Sequence, residues 1–216
     1  MRYLANPSSP KVRDAMRAGL IGQMCTPAEG RQPLNADDGA AVWFAADNGC
    51  FSKRGYPGEE RWFLWLERLV SGRENRCLFA VAPDRFNPAL GDGMGLVSLE
   101  RSRPWLPVIR ALGVPAALVA QNGLAPEDVP WEEIDALFLG GTTDWKIGPA
   151  AARLAAAAKE RRMHVHMGRV NSGRRWAMAE VFGCDSVDGT FIAFGPDVNL
   201  DRLLAWADPP SLWEAS

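Results

Sequence analysis

Three aspartates and one glutamine in this chain each stand directly behind a short apolar run. They are Asp47 in "VWFAAD", Asp84 in "CLFAVAPD", Asp188 in "SVDGT" and Gln121 in "AALVAQNG". Two further runs end in glycine: "ALFLGG" closes on Gly140 and Gly141, and "HVHMG" closes on Gly168, with Arg169 next. Two carboxylates flanking a reacting centre suit glycosyl transfer, one attacking an anomeric carbon and the other moving protons. A third carboxylate and a carboxamide suit recognition of a purine edge, because Asp accepts from N–H donors and the Gln amide donates to a carbonyl oxygen. Glycines let a flat base come close to the backbone. Each residue also has a plainer use. Asp followed by Gly, as in "GCDSVDGT", is ordinary turn chemistry.

These residues can act together only if the elements behind them bring the strand ends to one place. The chain carries a repeated alternation of apolar runs: "RYLAN", "LIGQMC", "VWFAAD", "CLFAVAPD", "AALVAQNG", "ALFLGG", "HVHMG" and "SVDGT". Helix candidates lie between several of them: "PKVRDAMRAG", "GEERWFLWLERLVSG", "RPWLPVIRALG", "IGPAAARLAAAAKERR", "SGRRWAMAEVFG" and "NLDRLLAWA". Gly19, Gly72, Gly113 and Gly183 stand where helix C-caps belong. Strands alternating with helices predict an α/β fold with a parallel sheet, and eight such strands predict a closed (β/α)8 TIM-type barrel, one domain over residues 1–216. A chain of 216 residues is short for that fold, so some helices are expected to be short or missing. An open doubly wound sheet is the alternative. It needs a glycine-rich loop after the first strand, which "LANPSSP" does not supply. In the barrel, chemistry belongs at the C-terminal strand ends, where Asp47, Asp84, Gln121, Gly140, Gly141, Gly168, Arg169 and Asp188 stand.

The formal net charge is −2, so nucleic-acid binding would have to rest on a local basic patch. "GRVNSGRRW" is the candidate: Arg169, Arg174 and Arg175 surround Asn171 and Ser172 where a strand end leads into a helix. That is either a phosphate clamp at a helix N-terminus or a solvated helix face with a capping Asn or Ser. Lys146 in "TDWK" is a weaker phosphate candidate. The four cysteines are scattered without a C-x-x-C pair, which predicts reduced thiols in a cytoplasmic protein. His164 and His166 would share one strand face, and two ligands alone do not make a metal site. No leader or membrane span is expected. Of the nine tryptophans, Trp62 and Trp65 read as packing, and Trp145 is the one expected near the mouth. Phe51, just after Asp47, is a candidate lid.

The ordered set resembles the tRNA-guanine transglycosylase superfamily, barrels that exchange guanine for a 7-deazaguanine. "DNGCF" is similar to that family's Asp-Ser-Gly-Gly-Phe motif, which implies general acid/base work for Asp47. "APD" resembles the segment that reads the guanine edge, implying Asp84, and "VAQNG" resembles the Gln-Gly strand end, implying Gln121 for the purine carbonyl. "FLGG" implies that the Gly140 and Gly141 backbone touches the base. "GCDSVDGT" resembles the nucleophile segment, implying Asp188 as nucleophile and Asp185 as structural. The resemblance spans about residues 42–190. It departs from the tRNA enzymes in that no cluster of closely spaced cysteines and a histidine follows Asp188, so a compact barrel without their C-terminal zinc subdomain is the expectation. "GGTTDWKIG" and "MGRVNSGRR" are similar to segments of the compact phage-type branch that modifies DNA. The resemblance therefore implies DNA as substrate, with tRNA as alternative, a 7-deazaguanine such as preQ0 as incoming base, no cofactor, no membrane, and a host-cytoplasm setting if phage-encoded. Homodimers are common among tRNA-directed relatives, so self-association is a further expectation. Three other readings stay open: a glycosylase that stops at hydrolysis, a catalytically silent barrel that binds nucleic acid or a partner, and a small-molecule barrel enzyme using the same mouth.

Overall fold

The computed structural model describes residues 1–51 and 55–207. Eight strands form in chain order: β1 (Arg2–Ala5), β2 (Gly22–Cys25), β3 (Phe44–Ala46), β4 (Cys77–Val81), β5 (Ala116–Ala120), β6 (Ala136–Leu139), β7 (His164–Met167) and β8 (Ser186–Asp188). Each pairs in parallel with its sequence neighbour, and β8 returns to β1 with Leu4 opposite Asp188, closing the barrel. Every apolar run contributes its strand, and the fold is a TIM-type (β/α)8 barrel.

Among the described residues eight α-helices wrap it: α1 (Pro10–Arg17), α2 (Glu59–Val70), α3 (Met94–Ser102), α4 (Leu106–Ala111), α5 (Thr143–Lys146), α6 (Pro149–Glu160), α7 (Gly173–Val181) and α8 (Pro196–Ala207). Gly19, Gly72, Gly113 and Gly183 lie at φ of 75°, 72°, 78° and 72°, the left-handed backbone that lets a helix end and the chain turn back. Two helices escape the sequence pattern, α3 and the single turn α5. The buried face of α3 is Met94, Gly95, Ser98 and Ser102, so it shows almost no apolar stripe. It is held instead by close approach: Gly95 N donates to Asn122 O at 2.7 Å, and a Cβ on Gly95 would fall 2.5 Å from Leu124 N. Among the described residues two connections carry no α-helix: β5–β6, which has only the 3-10 turns Pro126–Asp128 and Trp131–Glu133, and β2–β3. The latter is a loop carrying one antiparallel bridge, Asn35 to Ala41, and the fully buried Gln23 side chain braces it by accepting from Leu34 N and donating to Gln32 O.

The period-two alternation of the strands sorts side chains into two cores. Outward residues such as Tyr3, Leu118, Leu137, Leu139, Val165 and Val187 pack under the helices with Trp62, Leu66, Ile109, Leu154 and Trp176. Inward residues fill the barrel: Leu4, Met24, Ala45, Phe79, Val81, Ala117, Val119, Ala136 and Phe138. Small Ala45, Ala117 and Ala136 share the bore with Phe79 and Phe138, whose rings meet edge to face. On β7 and β8 the inward positions are polar instead: His164, His166, Ser186 and Asp188. Among the described residues, no helix is long and apolar enough to cross a membrane.

Candidate active site

Continue the inward parity one step past each strand and the mouth assembles. Ala45 is followed two residues later by Asp47, Val119 by Gln121, Phe138 by Gly140, His166 by Gly168 and Ser186 by Asp188. All five line one cavity of about 110 Å³, together with Asn48, Phe51, Asp84, Phe86, Val119, Phe138, Gly141 and Arg169. A second, wider cavity of about 390 Å³ adjoins it on the β1–β2–β8 side, and Asp47, Asp188, Phe51 and Arg169 line both. The two carboxylates therefore stand at the junction of an inner slot and an outer chamber.

One side of the inner slot is a hydrogen-bonded belt across four strand ends. Asn48 Nδ2 donates to Asp84 Oδ1 at 3.0 Å, Gln121 Nε2 donates to Asp84 Oδ2 at 2.6 Å, and Gly141 N donates to Gln121 Oε1 at 2.7 Å. Arg101 Nη1 holds the Asp84 carbonyl at 2.9 Å. Asn48, Asp84 and Gln121 are all buried, and burial outweighs these donors to push the Asp84 carboxyl above the usual range. Asp84 retains lone pairs and Gln121 one amide proton for a ligand in the slot. The faces are apolar: Val119 and Phe138 below, Phe51 and Phe86 above, the last two 4.7 Å apart.

Asp47 and Asp188 are the same residue in opposite surroundings. Asp47 is only partly covered, yet protein surrounds its carboxylate. That desolvation, with the negative charges of Asp188 and Asp84, pushes it up to about 7, against the pull of the Asn48 and Gly49 amides. Burial also pushes Asp188 up, but His166, the Arg169 amide and Lys146 together outweigh it and hold the carboxyl below its ordinary value. Arg169 N donates to Asp188 Oδ1 at 2.5 Å, and His166 Nε2 stands 3.5 Å from Oδ2. Arg169 reaches this position in the left-handed region, at φ 61°, a conformation that costs a non-glycine residue about 1–2 kcal/mol.

The chain matches no known family model and no curated protein.

The expected residues thus divide. Asp47, Asp84, Gln121, Gly140, Gly141, Gly168, Phe51 and Asp188 converge on the cavity. The diglycine acts differently from expectation. Gly140 N donates to Ala120 O and Gly141 N to Gln121 Oε1, so neither amide is free to hold a base. These glycines supply room: a Cβ on Gly140 would fall 2.5 Å from Val119 Cγ1. Gly168 does the same over Phe138, whose ring lies 2.7 Å from where its Cβ would be.

Lys146 is a correction. It is fully buried, its ammonium donates to Gly168 O at 2.5 Å, and desolvation with the Arg169 charge pushes it down to about 7, so it cannot meet a phosphate on the surface. Arg169 and Arg175 are also committed. The Arg169 guanidinium bonds the Gly141 carbonyl and lies 4.4 Å over the Phe51 ring, and Arg175 donates to Arg169 O at 3.1 Å. Asn171 pairs with Thr190, and Ser172 caps α7 by accepting from Arg175 N. Arg174 is exposed. Trp145 packs beneath Gly141 and stays out of the central cavity.

Three contributors carried no clear sequence signal. Asn48 hides beside Asp47, Phe86 follows Asp84 by two residues, and His166 reads only as one of two histidines on a strand face. Among the described residues no cluster of three or more His, Cys, Asp or Glu is placed to hold a metal ion. Asp185 lies at the opposite strand end, where it pairs with Lys159 at 2.8 Å and accepts from Val165 N.

Proposed function

We propose that this protein is a base-exchange glycosyltransferase that replaces guanine with a 7-deazaguanine in DNA through a glycosyl-aspartate intermediate. The observation that carries the reading is the junction: two carboxylates of opposite proton affinity sit between a small slot with apolar faces and a purine-compatible polar belt, and a wider chamber suited to a sugar. A base in the slot and its sugar in the chamber put the glycosidic bond beside both carboxylates. Asp188 and Asp47 fit the nucleophile and proton-transfer roles that the family resemblance implies. DNA is preferred to tRNA on the likeness of "GGTTDWKIG" and "MGRVNSGRR" to phage-type members.

A stacked guanine must first leave the duplex. It would enter the slot between Phe138 and the Phe51–Phe86 pair, its N–H edge toward Asp84 and its carbonyl toward the second Gln121 amide proton. Asp188 attacks C1′, and the C1′–N9 bond breaks with its electrons going to the base. Protonated Asp47 supplies the proton that lets guanine leave neutral. The incoming deazaguanine returns a proton to Asp47 from N9, N9 attacks C1′, and the ester to Asp188 breaks. Two displacements give retention and ping-pong kinetics.

The test incubates the protein with labelled 7-cyano-7-deazaguanine and either guanine-containing DNA or tRNA, followed by digestion to nucleosides and mass spectrometry. Label in DNA, absent with Asp188→Ala, is the expected result. Label in tRNA alone overturns the substrate and keeps the chemistry. Abasic DNA in the absence of added base favours a hydrolytic glycosylase. No change in either polymer by a folded protein overturns the proposal.

A further inference from the structure

Below Asp188 the barrel holds a line of polar side chains that the reaction above does not use. His164 Nε2 lies 2.7 Å from Ser186 Oγ, Ser186 Oγ lies 2.8 Å from His166 Nδ1, and His166 Nε2 faces Asp188 Oδ2 at 3.5 Å. His166 and Ser186 have no exposure to solvent. Among the described residues His166 Nε2 has no hydrogen-bond partner, and the acceptor it faces is the Asp188 carboxylate. Phe79 and Phe138 confine the ring, with centroids 5.0 and 4.4 Å away.

The direction of this line follows from counting protons. A serine hydroxyl donates one hydrogen and can accept others, and a neutral imidazole donates from one nitrogen and accepts at the other. Suppose Ser186 donated to His164. His166 Nδ1 would then have to donate to Ser186, leaving a bare Nε2 lone pair aimed at the Asp188 carboxylate. The reverse assignment leaves no conflict: His164 Nε2–H donates to Ser186, Ser186 donates to His166 Nδ1, and His166 Nε2–H points at Asp188. Burial with the neighbouring His166 pushes His164 down to about 4, consistent with an uncharged ring; Lys159 acts in the same sense and Asp185 opposes it.

We infer that His164, Ser186 and His166 form a buried donor chain with one direction, and that His166 is a positioning residue that presents a proton to Asp188 Oδ2 while the Arg169 amide holds Oδ1. Lys146 and Arg169 are the other cations acting on that carboxylate, and the Asp47 carboxyl across the mouth opposes them. Held on Oδ1 and faced on Oδ2, Asp188 keeps one plane as it attacks once the imidazole contact closes. Long contacts of this kind in unliganded sites commonly tighten in the reacting complex.

The chain has only two histidines, so a long-range ¹H–¹⁵N spectrum of ¹⁵N-histidine-labelled protein at pH 8 contains four ring nitrogens. Both rings are expected neutral with the proton on Nε2. Asp188→Asn is expected to shift the His166 Nε2 resonance while leaving His164 nearly unmoved. An Nδ1–H tautomer or a doubly protonated ring at His166 overturns the chain. This spectrum decides the matter whether or not the protein exchanges bases. The positioning role rests on the proposed reaction. There Ser186→Ala and His166→Gln are each expected to lower kcat about ten- to a hundredfold with KM for the incoming base unchanged. A lowered Tm with kcat intact would assign the chain to stability alone.

Discussion

On the β3–β5 side of the mouth, Asp47 and Asp84 lie among acceptors and amides, and the charges pressing on Asp47 are those of other carboxylates. Across the mouth on β8, Asp188 is met by a backbone amide, an imidazole and a nearby ammonium. Residue type is the same and burial is comparable, yet one rim favours the protonated acid and the other the anion. Desolvation acts on both rims alike, so the neighbours decide the sign. A site that must give a proton to a leaving base and also offer an ionised nucleophile needs this split.

The comparison breaks most sharply at the nucleophile. Asp188→Asn keeps the shape of the residue and removes the anion, and base exchange is expected to fall by about a thousandfold or more while the protein stays folded, as read by single-turnover assay and circular dichroism.

Next in size is the partner carboxylate. Asp47→Asn is expected to lose about 10²–10⁴-fold in rate. The pH profile sharpens the point. Transfer from the nucleic acid needs Asp47 protonated, so kcat/KM for that substrate should fall as pH rises through about 7. Transfer to the incoming base needs Asp47 ionised, so its kcat/KM should rise with pH. With Asp188 esterified, one opposing charge is gone, which places this second limb at lower pH than the first. Both limbs should vanish in Asp47→Asn, and a pair of flat wild-type profiles would contradict the assignment.

Stability separates the rims in a third way. Raised from 3.8 to about 7 in the fold, Asp47 binds a proton that the unfolded chain has already released between those values. Stability conferred by this group is therefore greatest below the unfolded value and is lost as pH rises toward about 7. Asp47→Asn should gain on the wild type by about 2–4 kcal/mol at pH 8, with the difference shrinking toward pH 4, as read by urea titration at each pH. For Asp188 the sign is opposite: its contribution is present above the unfolded value and lost on acidification.

The smallest effect concerns the backbone that aims the Arg169 amide. Arg169→Gly and Arg169→Ala both delete the guanidinium, but only glycine relaxes the left-handed residue. The Gly variant should be more stable than the Ala variant by about 1 kcal/mol in urea titration, with both retaining the amide donor to Asp188. Equal stabilities would remove backbone strain from the account of this rim.

Much of this was legible in the residues. Eight apolar runs appear as eight strands because parallel strands buried on both faces must be nearly continuous in apolar side chains. The helix α3 was not legible, since Gly95, Ser98 and Ser102 pack by small size and leave no periodic stripe. Lys146 read as a surface cation because it sits in a polar turn. Buried, its ammonium is met by the carbonyl of Gly168, which follows β7 and lies 22 residues away in sequence.

By itself the sequence determined the order of the strands and, through their period of two, that Asp47, Gln121, Gly140, Gly168 and Asp188 share the inward face. Only the tertiary structure decided what each of them does with a proton. Parity is a property of one strand, whereas proton affinity is set by desolvation and by charges a few ångströms away, and those come from strands far apart in sequence. Asp47 is raised by groups on β8 and beyond β4, and Asp188 is lowered by groups on and after β7 and on α5.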